Sequence, residues 1–323
     1  MGMDQNANCI SCGSAKLAVD RHYSYLQQGS KRIYLRCKVC GLITTAGFYS
    51  EDILESFYPA DYYGAGRRKF IGFFDNLRGL LNKYRVKSVD FLVRKRDKRI
   101  LDIGCGEGKF LREIQGYGYE TYGVELPGPA FNQAKLIPAL HLFSAYPISN
   151  NLFPENYFGA ITLWHVLEHL ANPCEILSFC AKWLKTKGYL FVEVPNLASW
   201  QARIFKKNWF HFDPPRHLFL FTPESLGILL NKAGFVVVKR KGFSIEMGVF
   251  GLVQSALNSV IKPYNLLFNM LRLGVRCRGP LYAKVLSVLG GFILLPFGFL
   301  FAMLEALFNR GAVIRYTCNT STI

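Results

Sequence analysis

The stretch Leu101-Asp-Ile-Gly-Cys-Gly-Glu-Gly108, preceded by Arg99-Ile100 and followed by Lys109-Phe-Leu-Arg-Glu-Ile114, decides the fold. An apolar run, three glycines in alternation and then helical periodicity is how an open α/β sheet begins a nucleotide-type site. A Cβ at Gly104 or Gly106 would hold the backbone away from a ligand, and tight turns of this kind need positive φ. The loop can therefore press its N–H groups against a bound small molecule. Its spacing, G-x-G-x-G, differs from the G-x-G-x-x-G of the dinucleotide fingerprint.

Outward from this loop, Tyr119-Glu-Thr-Tyr-Gly-Val124 reads as a second strand and ends at Glu125, seventeen positions after Gly108. That leaves room for one helix and a return strand, and it puts a carboxylate where a ribose diol would be gripped. The combination of Asp102, the three glycines and Glu125 resembles the class I S-adenosylmethionine-dependent methyltransferases, in their small-molecule branch. Three later segments are similar to that family's fourth strand and its turn, its fifth strand, and its post-strand loop: Phe158 to Leu170, Leu184 to Asn196 and Asp213 to Leu218. The likeness runs from Arg99 to about Phe243. It implies that Asp102 supports the loop near the methionine end of the cofactor and that Glu125 holds the ribose. Cofactor contacts then fall on Asp102, Gly104, Cys105, Gly106, Gly108, Glu125, Leu126 and His165. The chain departs from the pattern at Ser144-Ala145, where many relatives carry an acidic residue for the adenine amine, and at Gly159, where an Asp often begins the fourth strand.

Strands are expected near 99–104, 119–125, 139–143, 158–164, 188–195, 235–241 and 311–317, with helices between the first six. Alternation at this spacing means a mostly parallel sheet with right-handed crossovers. The expected fold is α/β: a Rossmann-like seven-stranded methyltransferase sheet with an N-terminal zinc ribbon and a C-terminal hydrophobic helical insertion. Its divisions fall at 1–47 (ribbon), 48–98 (linker and lid helix), 99–243 (cofactor-binding core), 244–309 (hydrophobic insertion) and 310–323 (last strand and tail).

The ribbon rests on Cys9-Ile-Ser-Cys12 and Cys37-Lys-Val-Cys40, two C-x2-C knuckles with 24 residues between them, each followed by glycine. Two such tips can present Cys9, Cys12, Cys37 and Cys40 tetrahedrally to Zn2+ in a closed, structural site; free cysteines or a redox pair are the other reading. In the linker, a basic amphipathic helix is expected from about Arg68 to Arg96. Tyr62 and Tyr63 lie where related enzymes place a lid, so they are candidate substrate contacts as well as packing residues.

Trp164-His-Val-Leu-Glu-His-Leu170 spaces His165 and His169 four apart, which on a helical turn puts them on one face with Glu168 beside them. That turn can supply a general base, a divalent-metal site, or structural caps. After the fifth strand, Trp209-Phe-His-Phe-Asp-Pro-Pro-Arg-His-Leu218 gathers His211, Asp213, Arg216 and His217 in a loop with two prolines. It reads as the substrate wall. His217 is the leading base candidate, with His169 and Asp213 beside it as catalytic candidates, and Arg216 is either an anion grip or a tie to the sheet.

The chain carries a net charge of +17 over 323 residues, half of them apolar or aromatic, so a folded core with an anionic partner is expected. With a polar, cysteine-bearing start, the catalytic part is expected to lie in a reducing cytoplasm. Val285 to Leu304 is uncharged for 20 residues, long enough to span a bilayer, but a last strand must follow it. A helical hairpin hinged near Pro296 is therefore expected, either dipping into an anionic membrane interface on the cytoplasmic face or packed on the domain. The leading function is methyl transfer to O or C of a small, lipid-linked or nucleotide-linked acceptor. An RNA-modifying or RNA-binding protein and a non-catalytic S-adenosylmethionine-binding scaffold are the alternatives.

Overall fold

The computed structural model describes residues 8–27, 30–46, 72–95, 97–145, 148–244, 246–272 and 279–320; Tyr62 and Tyr63 lie outside them. The N-terminal unit holds β1 (Leu17–Val19), β2 (Tyr25–Gln27), β3 (Ser30–Arg32), β4 (Tyr34–Cys37) and β5 (Ile43–Thr45). Helix α1 (Gly72–Val93) leads into β6 (Arg99–Ile103), α2 (Lys109–Gln115), β7 (Glu120–Glu125), α3 (Pro129–Ala134), β8 (Leu140–Ser144) and β9 (Phe158–Trp164). There follow α4 (Pro173–Trp183), β10 (Leu184–Pro195), α5 (Trp200–Phe205), β11 (Phe219–Leu220), α6 (Pro223–Lys232) and β12 (Phe235–Lys241). The last elements are α7 (Gly251–Val260), entered through a π turn at Glu246–Phe250, then α8 (Leu266–Leu271), α9 (Leu281–Leu307) and β13 (Val313–Thr320).

Seven strands form one sheet in the order β12-β13-β10-β9-β6-β7-β8. β8, β7, β6, β9 and β10 are mutually parallel, and β13 runs antiparallel between β10 and β12. β6 and β9 are buried on both faces, which explains why their sequences are mostly apolar, with Asp102 and Thr162 as the buried polar exceptions. Chain order reverses between β6 and β9, so a crevice opens beyond their carboxyl ends. The expected seven-stranded sheet is thus present, except that among the described residues between β8 and β9 there is a short 3-10 turn, Asn150–Leu152, where a helix was expected. Gly159 also has a physical reason: a Cβ there would collide with the Asp97 carbonyl.

Local signals set the helix ends. Asn172 caps α4 by accepting from Glu175 N at 3.3 Å, and Thr222 and Ser225 form a reciprocal capping box at the start of α6. The hinge expected at Pro296 does not occur: α9 runs unbroken through it for 27 residues. α7 and α8 form the outgoing arm and pack against α9. Pro296 is exposed, and the small side chains of α9 pack along that arm on both sides of it. The helix therefore tolerates the one missing N–H.

Candidate active site

The loop after β6 is fastened from below. Gly104 N and Cys105 N donate to Val124 O at 2.8 and 3.1 Å, and Gly108 N donates to Cys105 O at 3.0 Å. Glu125, at the end of β7, accepts from Gly106 N at 2.6 Å and from Leu126 N at 3.1 Å. Asp102 lies beneath the loop, 3% exposed, and accepts from Thr162 Oγ1 at 2.6 Å, which ties β6 to β9. Burial pushes its carboxyl up to about 7, against the pull of the Thr162 hydrogen bond.

The two central glycines differ physically although the motif treats them alike. Both have positive φ, +69° at Gly104 and +57° at Gly106. A Cβ on Gly104 would meet Val166 Cγ2 at 2.5 Å, so this glycine lets the loop pack on the turn after β9. A Cβ on Gly106 would meet nothing within 4 Å, so it faces open space beside the Glu125 carboxylate. That is a cradle a side chain would fill, next to a group suited to a diol.

The turn after β9 is not helical, so His165 and His169 do not share a helix face as the spacing suggested. His165 has φ 57°, and its Nε2 lies 3.1 Å from Glu193 Oε1 and its Nδ1 3.5 Å from Glu168 Oε1. Burial opposes its charge, but the two carboxylates prevail and lift its pKa to about 9. Glu193, fully buried on β10, also binds Arg85 of α1 and Arg315 of β13. These guanidiniums lie 5.1 and 5.3 Å from the Trp164 ring centre. Despite burial, the two arginines hold the Glu193 carboxyl well below the usual carboxylate range. The sequence reading missed this network. Its signal was there in two ionic residues with apolar neighbours, Glu193 between Val192 and Val194 and Arg315 between Ile314 and Tyr316.

His169 and His217 meet edge to face, with centroids 4.5 Å apart. His217 Nδ1 lies 2.8 Å from His211 O, and because a carbonyl only accepts, Nδ1 carries the proton. Its Nε2 points toward Glu168 Oε1 at 4.0 Å. Burial, with the neighbouring His169 adding to it, lowers the His217 pKa to about 4, so its Nε2 is unprotonated at neutral pH. His169 Nδ1 likewise faces Arg216 O at 3.0 Å, and burial lowers its pKa. Glu168 is 1% exposed, and neither carboxylate oxygen has a hydrogen-bond partner among the described residues. Ligand atoms of Glu168, His169 and His217 lie within 4.8 Å of one another, a donor set able to share a proton or a divalent cation.

The other loop candidates are tied within the protein. Arg216 pairs with both Asp213 carboxylate oxygens through Nε and Nη2, and this pairing, opposed by burial, brings the Asp213 pKa to about 2. His211 Nε2 meets Met247 O at 2.9 Å, joining the loop to the C-terminal arm.

The N-terminal unit braces this loop. β11 extends the sheet β1-β4-β5 by pairing with β5, and Tyr23 and Tyr34 both pack edge-on against Phe212 at 5.1 Å. Thr222 Oγ1 donates to Cys40 O at 3.0 Å. The four thiols of Cys9, Cys12, Cys37 and Cys40 converge within 4.8 Å, with Cys9–Cys40 and Cys12–Cys37 sulfurs 3.5 Å apart. A tetrahedron with Zn–S bonds of about 2.3 Å has sulfurs roughly 3.8 Å apart, so the cluster fits that ion.

Sheet order, glycine loop and acidic strand end define a Rossmann-like methyltransferase core. The family described as a methyltransferase domain matches residues 77–240, half of the 323-residue chain, and the chain belongs to that family. Among curated proteins it is similar to the ubiquinone biosynthesis O-methyltransferase of Thiobacillus denitrificans, 29% identical over 125 residues, covering 36% of this chain and 52% of that one. The corresponding protein of Burkholderia vietnamiensis is 30% identical over 121 residues, with the same coverage of 36% and 52%. The chain thus spans about half the length of the curated relatives it matches. Among solved structures, a SAM-dependent methyltransferase from Archaeoglobus fulgidus aligns with a TM-score of 0.49 at 21% identity, over 77% of this chain and 98% of that one.

Proposed function

We propose that this protein transfers a methyl group from S-adenosylmethionine to an oxygen of a small, lipid-linked acceptor at the cytoplasmic face of a membrane. The observation that carries the reading is the open cradle at Gly106, bordered by Glu125, at the carboxyl edge where β6 and β9 diverge. Gly104, Cys105, Gly106, Gly108 and Leu126 would hold the cofactor by backbone contact, Glu125 would take the ribose hydroxyls, and Asp102 would keep the loop in place. When bound, the cofactor supplies an electrophilic sulfonium methyl. Oxygen as the acceptor atom and a lipid-linked acceptor are supported by the relatives' name, ubiquinone biosynthesis O-methyltransferase.

His217 serves as the general base. Its Nδ1 proton is committed to the His211 carbonyl, and Nε2 takes the acceptor's hydroxyl proton. Glu168, 4.0 Å from that nitrogen, stabilises the imidazolium so formed. His169 fixes the His217 ring edge-on, and the Asp213–Arg216 pair closes the loop that carries it. Cys9, Cys12, Cys37 and Cys40 would hold a structural zinc ion, which would fix the N-terminal unit that braces this loop.

The test is methyl transfer from radiolabelled S-adenosylmethionine into a lipid extract, in wild type and His217→Gln. The account expects label in an organic-phase product, and a kcat loss of about 10²–10⁴ in the variant with cofactor affinity unchanged. Cofactor binding without transfer would favour the scaffold reading, and equal kcat in both proteins would remove His217 from the mechanism.

A further inference from the structure

Helix α9 is apolar almost throughout, yet it turns its small residues inward. Ala283, Ser287, Gly298 and Ala302 are buried, as is Glu305. Added Cβ atoms on Gly290, Gly291 and Gly298 would meet Leu257, Leu267 and Val249 at 2.9, 3.0 and 3.2 Å, so α9 lies backbone-close on α7, α8 and the π turn. The large residues point the other way: Leu281 is 77% exposed, Phe292 73%, Phe297 64% and Leu307 75%. At 100° per residue the inward positions occupy about 120° of the helix and the exposed apolar ones about 200°. One partner helix covers a stripe of about 100°, so a second copy of this chain docked here would leave much of that arc in water. A fluid hydrocarbon phase covers all of it.

Charge follows the same division. Lys284 and Glu305 are the ionic residues of α9. Glu305 is fully buried and accepts from Gln201 N at 3.0 Å and Gln201 Nε2 at 2.7 Å, so its carboxylate is withdrawn from the apolar surface. Just past the helix, Phe308 and Arg310 line an open cleft of about 750 Å³ together with Arg36, Lys38, Arg203 and Arg240. Glu224 is the acidic residue among its lining, and Arg36 is paired with Asp20 at 2.6 Å. The cleft is thus strongly cationic, within a chain of net charge +17, and of a size for a phosphate-bearing headgroup.

We infer that α9 seats the protein on an anionic lipid bilayer, its outer face sunk into one leaflet and the basic cleft at its end receiving lipid headgroups. The geometry is monotopic. Residues 285–304 would be about 30 Å long, a bilayer's hydrocarbon thickness, but α9 runs along α7, which is itself fastened to the core. Asn258 Nδ2 donates to Asn208 O at 3.2 Å and Phe210 N to Ser255 Oγ at 2.8 Å. The helix therefore lies on the flank of the domain and returns directly into β13 of the central sheet. His211, bonded to Met247 O, links the same arm to the His217 loop, so the membrane-facing element and the candidate substrate wall are one packed unit. This deepens, and rests on, the membrane-linked acceptor reading above.

The experiment is flotation of the full chain, without S-adenosylmethionine, on phosphatidylcholine vesicles and on vesicles also containing phosphatidylglycerol. Wild type is expected to float with both and more tightly with the anionic ones, a difference that salt reduces. Phe292→Asp and Phe297→Asp, at exposed positions, should keep the melting temperature and each weaken binding by about tenfold or more. Lys38→Glu with Arg203→Glu should abolish only the preference for anionic vesicles. Wild-type flotation by the aspartate variants would overturn the inference. So would absence of flotation, including the case in which light scattering finds a dimer that Phe292→Asp dissociates. Because the assay contains no methyl donor, its failure is separable from failure of the methyltransferase reading, which the cofactor titration tests.

Discussion

Replacing Glu193 by alanine should be among the most damaging single changes in the sheet. The side chain is fully buried and binds Arg85, Arg315 and His165 together. Its removal strands the Arg315 guanidinium, 8% exposed, while Arg85 at 20% can turn toward water. Breaking a buried pair from one side costs about 3–5 kcal/mol, mostly as the penalty of the charge left behind. Glu193→Leu with Arg315→Leu should therefore lose less than Glu193→Ala alone. A pH signature accompanies it. His165 titrates near 9 in the folded chain against 6.5 for an ordinary histidine, so its contribution is complete below pH 6.5 and is lost as pH rises through 9. That limb is on the order of 3 kcal/mol, and it should shrink in Glu193→Ala. Urea unfolding followed by circular dichroism, from pH 6 to 9.5 and at two salt concentrations, measures both effects. A Glu193→Ala loss under about 1 kcal/mol, or one that added salt removes, would mean the network is solvated and the reasoning wrong.

Two further outcomes follow from the glycine loop and the ribbon. Gly106→Ala should cost only the left-handed backbone penalty, about 1–2 kcal/mol, yet abolish cofactor binding because its Cβ enters the cradle. Gly104→Ala should destabilise more, by roughly 2–5 kcal/mol, since it adds overpacking against Val166; paired urea and binding curves separate the two. Stripping zinc with a strong chelator, checked by metal analysis, should lower kcat through the loosened Phe212–His217 segment while leaving affinity for S-adenosylmethionine nearly intact.

The central sheet was legible because its signals are local. β6, the glycine turn and α2 announce themselves within sixteen residues, Arg99 to Ile114, and the mostly parallel sheet follows from strand alternation. What escaped was set by long-range register. Glu193 and Arg315 stand opposite each other on antiparallel strands 122 residues apart, a pairing the order of residues does not display. The same network corrects the turn after β9: spacing alone favoured a helical face for His165 and His169, but the carboxylates of Glu193 and Glu168 draw the His165 ring into a left-handed turn. Pro296 misled for the opposite reason. Its local cost is real, about 3 kcal/mol, but the packing of 27 residues along α7 and α8 outweighs it. The N-terminal unit joins the segment after residue 209 partly through β11, a strand of two residues, too short to carry a pattern.

Isothermal titration of the folded, zinc-loaded chain with S-adenosylmethionine, run beside Gly106→Ala, tests the central claim most directly. The account predicts saturable binding at a single site in wild type and none in the variant. Equal binding in both would place the cofactor elsewhere, and no binding in either would contradict the assignment of the cradle between Gly106 and Glu125.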